Sequence, residues 1–183
     1  MGIIQRLRAR AFQNRLQKGL KQRKAPSGKS KVNLDNARHI GILFDATSVD
    51  ERNQISKYKE QLRKQGKQLS LLGFIQDQVE LDSLSFPAYN KKNLDWAGCP
   101  KGEKVDEFMK QGFDLLMNIN LAPSPHENYI SALSNAKLRV GPSTEATDCY
   151  DLMIGVKQSD GLQQFIKQME KLLGKTNTTN EAA

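Results

Sequence analysis

Three apolar runs, too continuous for half-exposed strands, constrain this chain most. Residues 39–44 read His-Ile-Gly-Ile-Leu-Phe, residues 69–75 Leu-Ser-Leu-Leu-Gly-Phe-Ile and residues 113–119 Phe-Asp-Leu-Leu-Met-Asn-Ile. Runs of this length suit strands buried on both faces, as in parallel sheets covered by helices. Helix signals follow them. Ser48-Val49-Asp50-Glu51 and Ser124-Pro125-His126-Glu127 have the spacing of capping boxes, the second with proline at its favoured first position. The first opens a helix with Ile55, Tyr58 and Leu62 on one face and Gly66 as its stop. The second opens a helix whose inner face is read as Tyr129, Leu133 and Ala136. Val105, Phe108 and Met109 mark another helix, ended by Gly112, and Leu162, Phe165, Ile166, Met169 and Leu173 a last one, stopped by Gly174. Shorter strands are expected at 138–141 and 151–156. Residues 76–100 are the least legible, with 84–86 and 92–96 read as short edge strands. The alternation predicts an α/β, Rossmann-like fold, a mostly parallel sheet covered by helices and preceded by a basic N-terminal helix.

Charge divides the chain unevenly. Residues 1–34 contain Arg6, Arg8, Arg10, Arg15, Lys18, Lys21, Arg23, Lys24, Lys29 and Lys31 and no Asp or Glu, which leaves 18 cations against 20 anions in the rest. The whole positive balance of the chain, +8 net, therefore comes from the arm, and the rest is slightly acidic. We read residues 1–34 as a basic helical arm and linker, 35–175 as the α/β domain and 176–183 as a disordered tail. Apolar residues in the arm fall into two sets: Ile3, Ile4, Leu7 and Ala11 on one side of a helix, Phe12, Leu16 and Leu20 on the other. That pattern is poor for a helix lying flat on a membrane. It suits two contacts with different surfaces, or a helix ordered only when bound.

A cation-rich arm without anions favours a polyanionic partner. The leading expectation is a non-enzymatic adaptor docked to RNA or a ribosomal particle through Arg6, Arg8, Arg10, Arg15, Lys18, Lys21, Arg23 and Lys24, with the body free for a protein partner. The second is a peripheral protein on an anionic membrane surface, with Ile3, Ile4 and Leu7 as a shallow wedge. The third is a ligand-binding or enzymatic domain with a pocket at the strand carboxyl ends, formed by Asp45, Thr47, Asn118, Asn120 and His126. At that position Asp45 and Thr47 suit either an anion site on the helix N–H groups or a turn and cap. His126 suits either a general base or an exposed first-turn residue. His39 has no visible partner and is read as structural.

The chain lacks Walker, GxSxG and GxGxxG motifs and paired zinc ligands, so no catalytic residue, cofactor or metal is assigned. Gly28-Lys29-Ser30 imitates a Walker end without its earlier glycine. Cys99 and Cys149 make no disulfide framework, no apolar run is long enough to span a membrane and no secretory leader is visible, so the expected location is cytoplasmic.

The strand at 113–119 followed by a helix and Ser134-Asn135-Ala136-Lys137-Leu138-Arg139-Val140-Gly141 resembles the N-terminal domain of heptosyltransferase-type glycosyltransferases. The resemblance implies a Rossmann-like fold. Glycosyl transfer is not expected with it, because no nucleotide-sugar domain or glycine-rich site is expected past Gly141. Over its whole length, with the basic arm, Ile42-Leu43-Phe44-Asp45-Ala46-Thr47 and Ala136-Lys137-Leu138-Arg139-Val140-Gly141-Pro142 in order, the chain also resembles a small bacterial family with no assigned activity.

Overall fold

The computed structural model describes residues 2–23, 31–76, 80–155 and 157–175; Lys24, Lys29, the expected linker at 25–30, Val156 and the expected tail lie outside them. The elements are α1 (Ile3–Gln22), β1 (His39–Asp45), α2 (Val49–Lys64), β2 (Gln68–Ile75), β3 (Ala88–Asn90), α3 (Glu103–Lys110), β4 (Phe113–Ile119), α4 (Pro125–Leu133), β5 (Ala136–Pro142), β6 (Leu152–Ile154) and α5 (Gly161–Lys175). The six strands form one sheet in the order β3-β2-β1-β4-β5-β6, and every pairing is parallel. This is the α/β, Rossmann-like architecture that the apolar runs predict.

Strand alternation explains the two layers. Ile40, Ile42 and Phe44 of β1 join Leu115, Met117 and Ile119 of β4 on the face covered by α2 and α5. Leu43 and Leu116 look the other way, toward Val105 and Phe108 of α3 and Ile130 of α4. The expected inner residues of α2 and α5 are all in the first cluster. Gly66, at φ 77°, terminates α2 in the left-handed region that glycine occupies without steric cost.

Some expectations are corrected. The edge strand is Ala88–Asn90; residues 84–86 form no strand, and 91–93 is a short 3-10 turn. Beyond it Leu94 makes one isolated antiparallel bridge to Pro100. Ser48 makes no side-chain cap on α2. The turn there is held by Asp45 Oδ1, which accepts from Thr47 N–H at 2.8 Å. The α4 box does form, Glu127 accepting from Ser124 N–H at 2.7 Å. However, α4 buries Ile130, Ser131 and Ala132, while Tyr129 and Leu133 face α1 and Ala136 already belongs to β5. α5 continues through Gly174 to Lys175. His39 does have partners: its ring nitrogens lie 3.1 Å from Gly112 O and 3.0 Å from Ser70 Oγ.

Helix α1 is not a free arm in this structure. Leu16 is buried with Ala132, Cys149 and Tyr150, and Phe12 and Leu20 pack on the same cluster. Phe12 meets Tyr129 with ring centroids 5.5 Å apart. Gly19 permits the approach, since a Cβ there would lie 2.7 Å from both Leu133 methyls.

Candidate functional site

The strand order reverses direction between β1 and β4. From β1 the chain proceeds outward through α2 to β2; from β4 it proceeds the opposite way through α4 to β5. Neighbouring strands whose connections diverge leave a crevice at their carboxyl ends, where open α/β sheets hold ligands. Here that crevice is occupied by buried polar side chains of the chain itself.

Asn120, just past β4, is the hub. Its Oδ1 accepts from Asp45 N–H at 2.5 Å. Its Nδ2 donates to Asn118 Oδ1 at 2.6 Å and to Glu127 Oε1 at 2.9 Å. Asn118 Nδ2 donates to Tyr150 Oη at 2.5 Å, and Tyr150 donates onward to Asn128 Oδ1 at 2.8 Å. Ser124 Oγ donates to Glu127 Oε2 at 3.0 Å and lies 2.8 Å from His126 Nε2, while His126 Nδ1 lies 2.9 Å from Tyr89 Oη.

The single proton on each hydroxyl sets the direction of the last chain. With Ser124 donating to the carboxylate, His126 donates from Nε2 to Ser124 and accepts at Nδ1 from Tyr89. This is a neutral ring. Burial drives the His126 pKa down to about 4, against a smaller opposing influence of Asp45. Burial drives Glu127 the other way, to about 7, despite the hydrogen bonds from Ser124 and Asn120. Tyr89 and Tyr150 are both held above the ordinary phenol range, chiefly by burial. A carboxyl near neutrality joined to a neutral imidazole through one hydroxyl is a chain able to pass a proton. Its members also satisfy one another, so the arrangement locks β1, β4 and α4 together.

The structure thus joins Asp45, Asn118, Asn120 and His126 in one network. Thr47 stands beside it, its Oγ1 accepting from Gln76 N–H at 2.9 Å and tying the turn to β2. In the sequence Glu127 reads only as a cap partner, and Ser124 only as the cap. Tyr89 and Tyr150 carry no sequence signal, because they arrive from 37 and 32 positions away. Among the described residues no group of His, Cys, Asp and Glu is placed to hold a metal.

The cationic residues of α1 and of the residues that follow it divide into two sets. Arg15 forms an ion pair with Asp95 and lies 5.9 Å from the centre of the exposed Trp96 ring. Arg23 donates to Ala132 O at 2.6 Å. Arg6, Arg8, Arg10, Lys18 and Lys21 are exposed, and Lys24 lies outside the described residues. Beside Arg6 and Arg8, Ile3 and Ile4 are 79% and 75% exposed and Leu7 57%. No helix among the described residues is long and apolar enough to cross a membrane.

A sequence-family model, that of a family of unknown function (DUF6913), matches residues 8–175. No curated protein matches the chain.

Proposed function

Because the chain belongs to this family, which brings no activity to transfer, we propose from its own geometry that it is a peripheral protein of anionic membrane surfaces, held there by the outward face of α1. The observation that carries this reading is the fate of the two apolar sets. Phe12, Leu16 and Leu20 pack on the body, whereas Ile3, Ile4 and Leu7 are the most exposed large apolar residues of the helix. At about 100° per residue, Leu7 stands opposite Leu16, with Ile3 beside it. Arg10, Lys18 and Lys21 share that outward half. A continuous apolar stripe is unnecessary here, because the body covers the other face. Shallow insertion of the three apolar side chains adds to electrostatic attraction of about 1 kcal/mol per basic residue at the lipid surface.

Flotation with phosphatidylcholine–phosphatidylglycerol vesicles tests the reading. The full chain is expected to float at about 0.1 M salt, where screening is moderate. Ile3→Asp with Leu7→Asp, and separately Arg10→Gln with Lys18→Gln and Lys21→Gln, are each expected to reduce the vesicle partition coefficient about tenfold, equivalent to about 1.4 kcal/mol. All five positions are exposed, so melting temperatures should stay within a degree or two of the parent. A parent that stays at the bottom, or variants that float equally well, would sink the reading.

A second reading rests on the later turns of α1, where the outward side carries Asn14, Gln17, Lys18 and Lys21 without an apolar residue. That surface suits phosphate contacts, and makes the chain an adaptor on RNA or a ribosomal particle. It differs from the first reading in what the Asp substitutions do. Salt-sensitive co-sedimentation with ribosomal particles would survive Ile3→Asp with Leu7→Asp and disappear with the Gln substitutions. The likeness of residues 113–141 to heptosyltransferase-type domains enters either reading as a likeness of fold alone.

A further inference from the structure

Among the described residues, the outer edge of β2 is open along its first half. Gln68 N–H donates to Arg38 C=O, and Phe74 C=O accepts from Ala46 N–H. The even-numbered residues of β2 therefore bond to β1, and the odd-numbered ones face outward. On that side β3 begins only at Ala88, opposite Gly73, with Gly73 N–H donating to Pro87 C=O. One step upstream, continuation of the ladder would need an N–H from Pro87 for the Leu71 carbonyl. Proline has none. The preceding chain turns over the sheet instead, where Phe86 packs on Phe44 with ring centroids 5.3 Å apart. Leu69 and Leu71, both half-buried, thus present their N–H and C=O groups beyond the end of the β2–β3 ladder.

A cavity of about 660 Å³ lies against these groups, walled by α2 on one side and α3 on the other. Its charged lining is Arg52, Lys59, Arg63 and Lys104 against the carboxylate of Glu107. Arg52 is engaged by the Ala46 and Thr47 carbonyls. Lys59 and Arg63 both reach one carboxylate oxygen of Glu60 at 3.5 Å, and Lys104 pairs with an almost fully exposed Asp82. Long pairs such as those to Glu60, and a pair to so exposed a carboxylate as Asp82, contribute little and exchange readily for better partners. Leu84 and Phe86 supply an apolar side to the same groove.

We propose that this edge receives an extended acidic segment of a partner protein, which adds a strand to β2 at Leu69 and Leu71 and sets carboxylates against Lys59, Arg63 and Lys104. Strand groups beyond the end of a ladder call for a peptide main chain, and the cationic walls select its side chains. The site is separate from the outward face of α1, and its test is independent of membrane or RNA binding.

The probe is a blocked peptide alternating Glu and Val over about seven residues, near the usual strand length, titrated into the isotope-labelled full chain. Amide exchange at Leu69 and Leu71 is expected to slow about tenfold with peptide bound. N-methylation of alternate peptide amides should abolish that protection, and Lys59→Glu with Arg63→Glu should weaken binding about tenfold. A Lys-Val peptide of equal length should give no protection. Absence of protection at millimolar Glu-Val peptide would overturn the proposal, as would equal protection by the Lys-Val or N-methylated peptide. Protection that rises with protein concentration alone would assign the edge to a second copy, and would overturn it as well.

Discussion

Glu127→Gln is expected to make the domain gain about 3 kcal/mol of stability between about pH 4 and 6.5, a range over which the parent gains little from this network. The sign follows from the two opposed shifts. His126 is lowered from 6.5 to about 4, so the unfolded chain binds the extra proton in that range and stability rises with pH. Glu127 is raised from 4.5 to about 7, so the folded chain binds the extra proton and stability falls as pH rises from 4.5 to about 7. The two contributions nearly cancel in the parent. Removing the carboxyl leaves the histidine contribution alone, at about 1.4 kcal/mol per pH unit. His126→Phe should show the converse, a loss of stability from about pH 4.5 to 7. Both variants also lose baseline stability. In Glu127→Gln one acceptor oxygen is replaced by a donor facing Asn120 or Ser124, at a cost of about 1–3 kcal/mol. Urea unfolding at half-unit pH steps measures the slopes. Profiles parallel to that of the parent would show that the network does not titrate as its burial requires.

Gly141→Ala is expected to cost about 3 kcal/mol, at the upper end of ordinary overpacking. A Cβ at this position in β5 would meet the Tyr150 ring, lying 2.6 Å from Cζ and 2.7 Å from Cδ1. The ring cannot retreat without loss. Its hydroxyl is held by Asn118 and Asn128, and its body packs with Leu16, Ala132 and Cys149. Displacing Tyr150 therefore disturbs both the crevice network and the seat of α1. The melting temperature should fall by about 10 °C for a chain of this size. In a Tyr150→Ala background the same substitution should cost close to nothing, because the obstructing ring is gone. Equal costs in both backgrounds would place the strain elsewhere.

Legibility in the sequence follows burial. β1 and β4 are buried on both faces, so their apolar runs mark them to within a residue of Asp45 and Ile119. β3 is three residues long and follows a proline that interrupts its ladder, which leaves no periodicity to read. The inner face of α4 differs from the sequence reading because Tyr129 and Leu133 are apolar for the sake of α1, not the sheet. A helix between two layers carries both patterns superposed, and spacing alone does not separate them. The same superposition in α1 has a clearer sign. Its two apolar sets point opposite ways, and the structure shows a partner for one of them. In the crevice, the place of Asp45, Asn118, Asn120 and His126 at strand ends makes them legible. Tyr89 and Tyr150 are joined to them only by the folded chain.

Helix α1 packs one face on the body, and its other face is the one proposed to meet an anionic bilayer. The most direct test is Ile4→Cys carrying an environment-sensitive fluorophore, in a chain whose own Cys99 and Cys149 are buried. Vesicles containing phosphatidylglycerol are predicted to shift its emission to the blue, with quenching by lipids labelled in the acyl chain, and phosphatidylcholine vesicles to leave it unchanged. An emission spectrum that does not move with anionic vesicles would show that this face of α1 does not enter the bilayer.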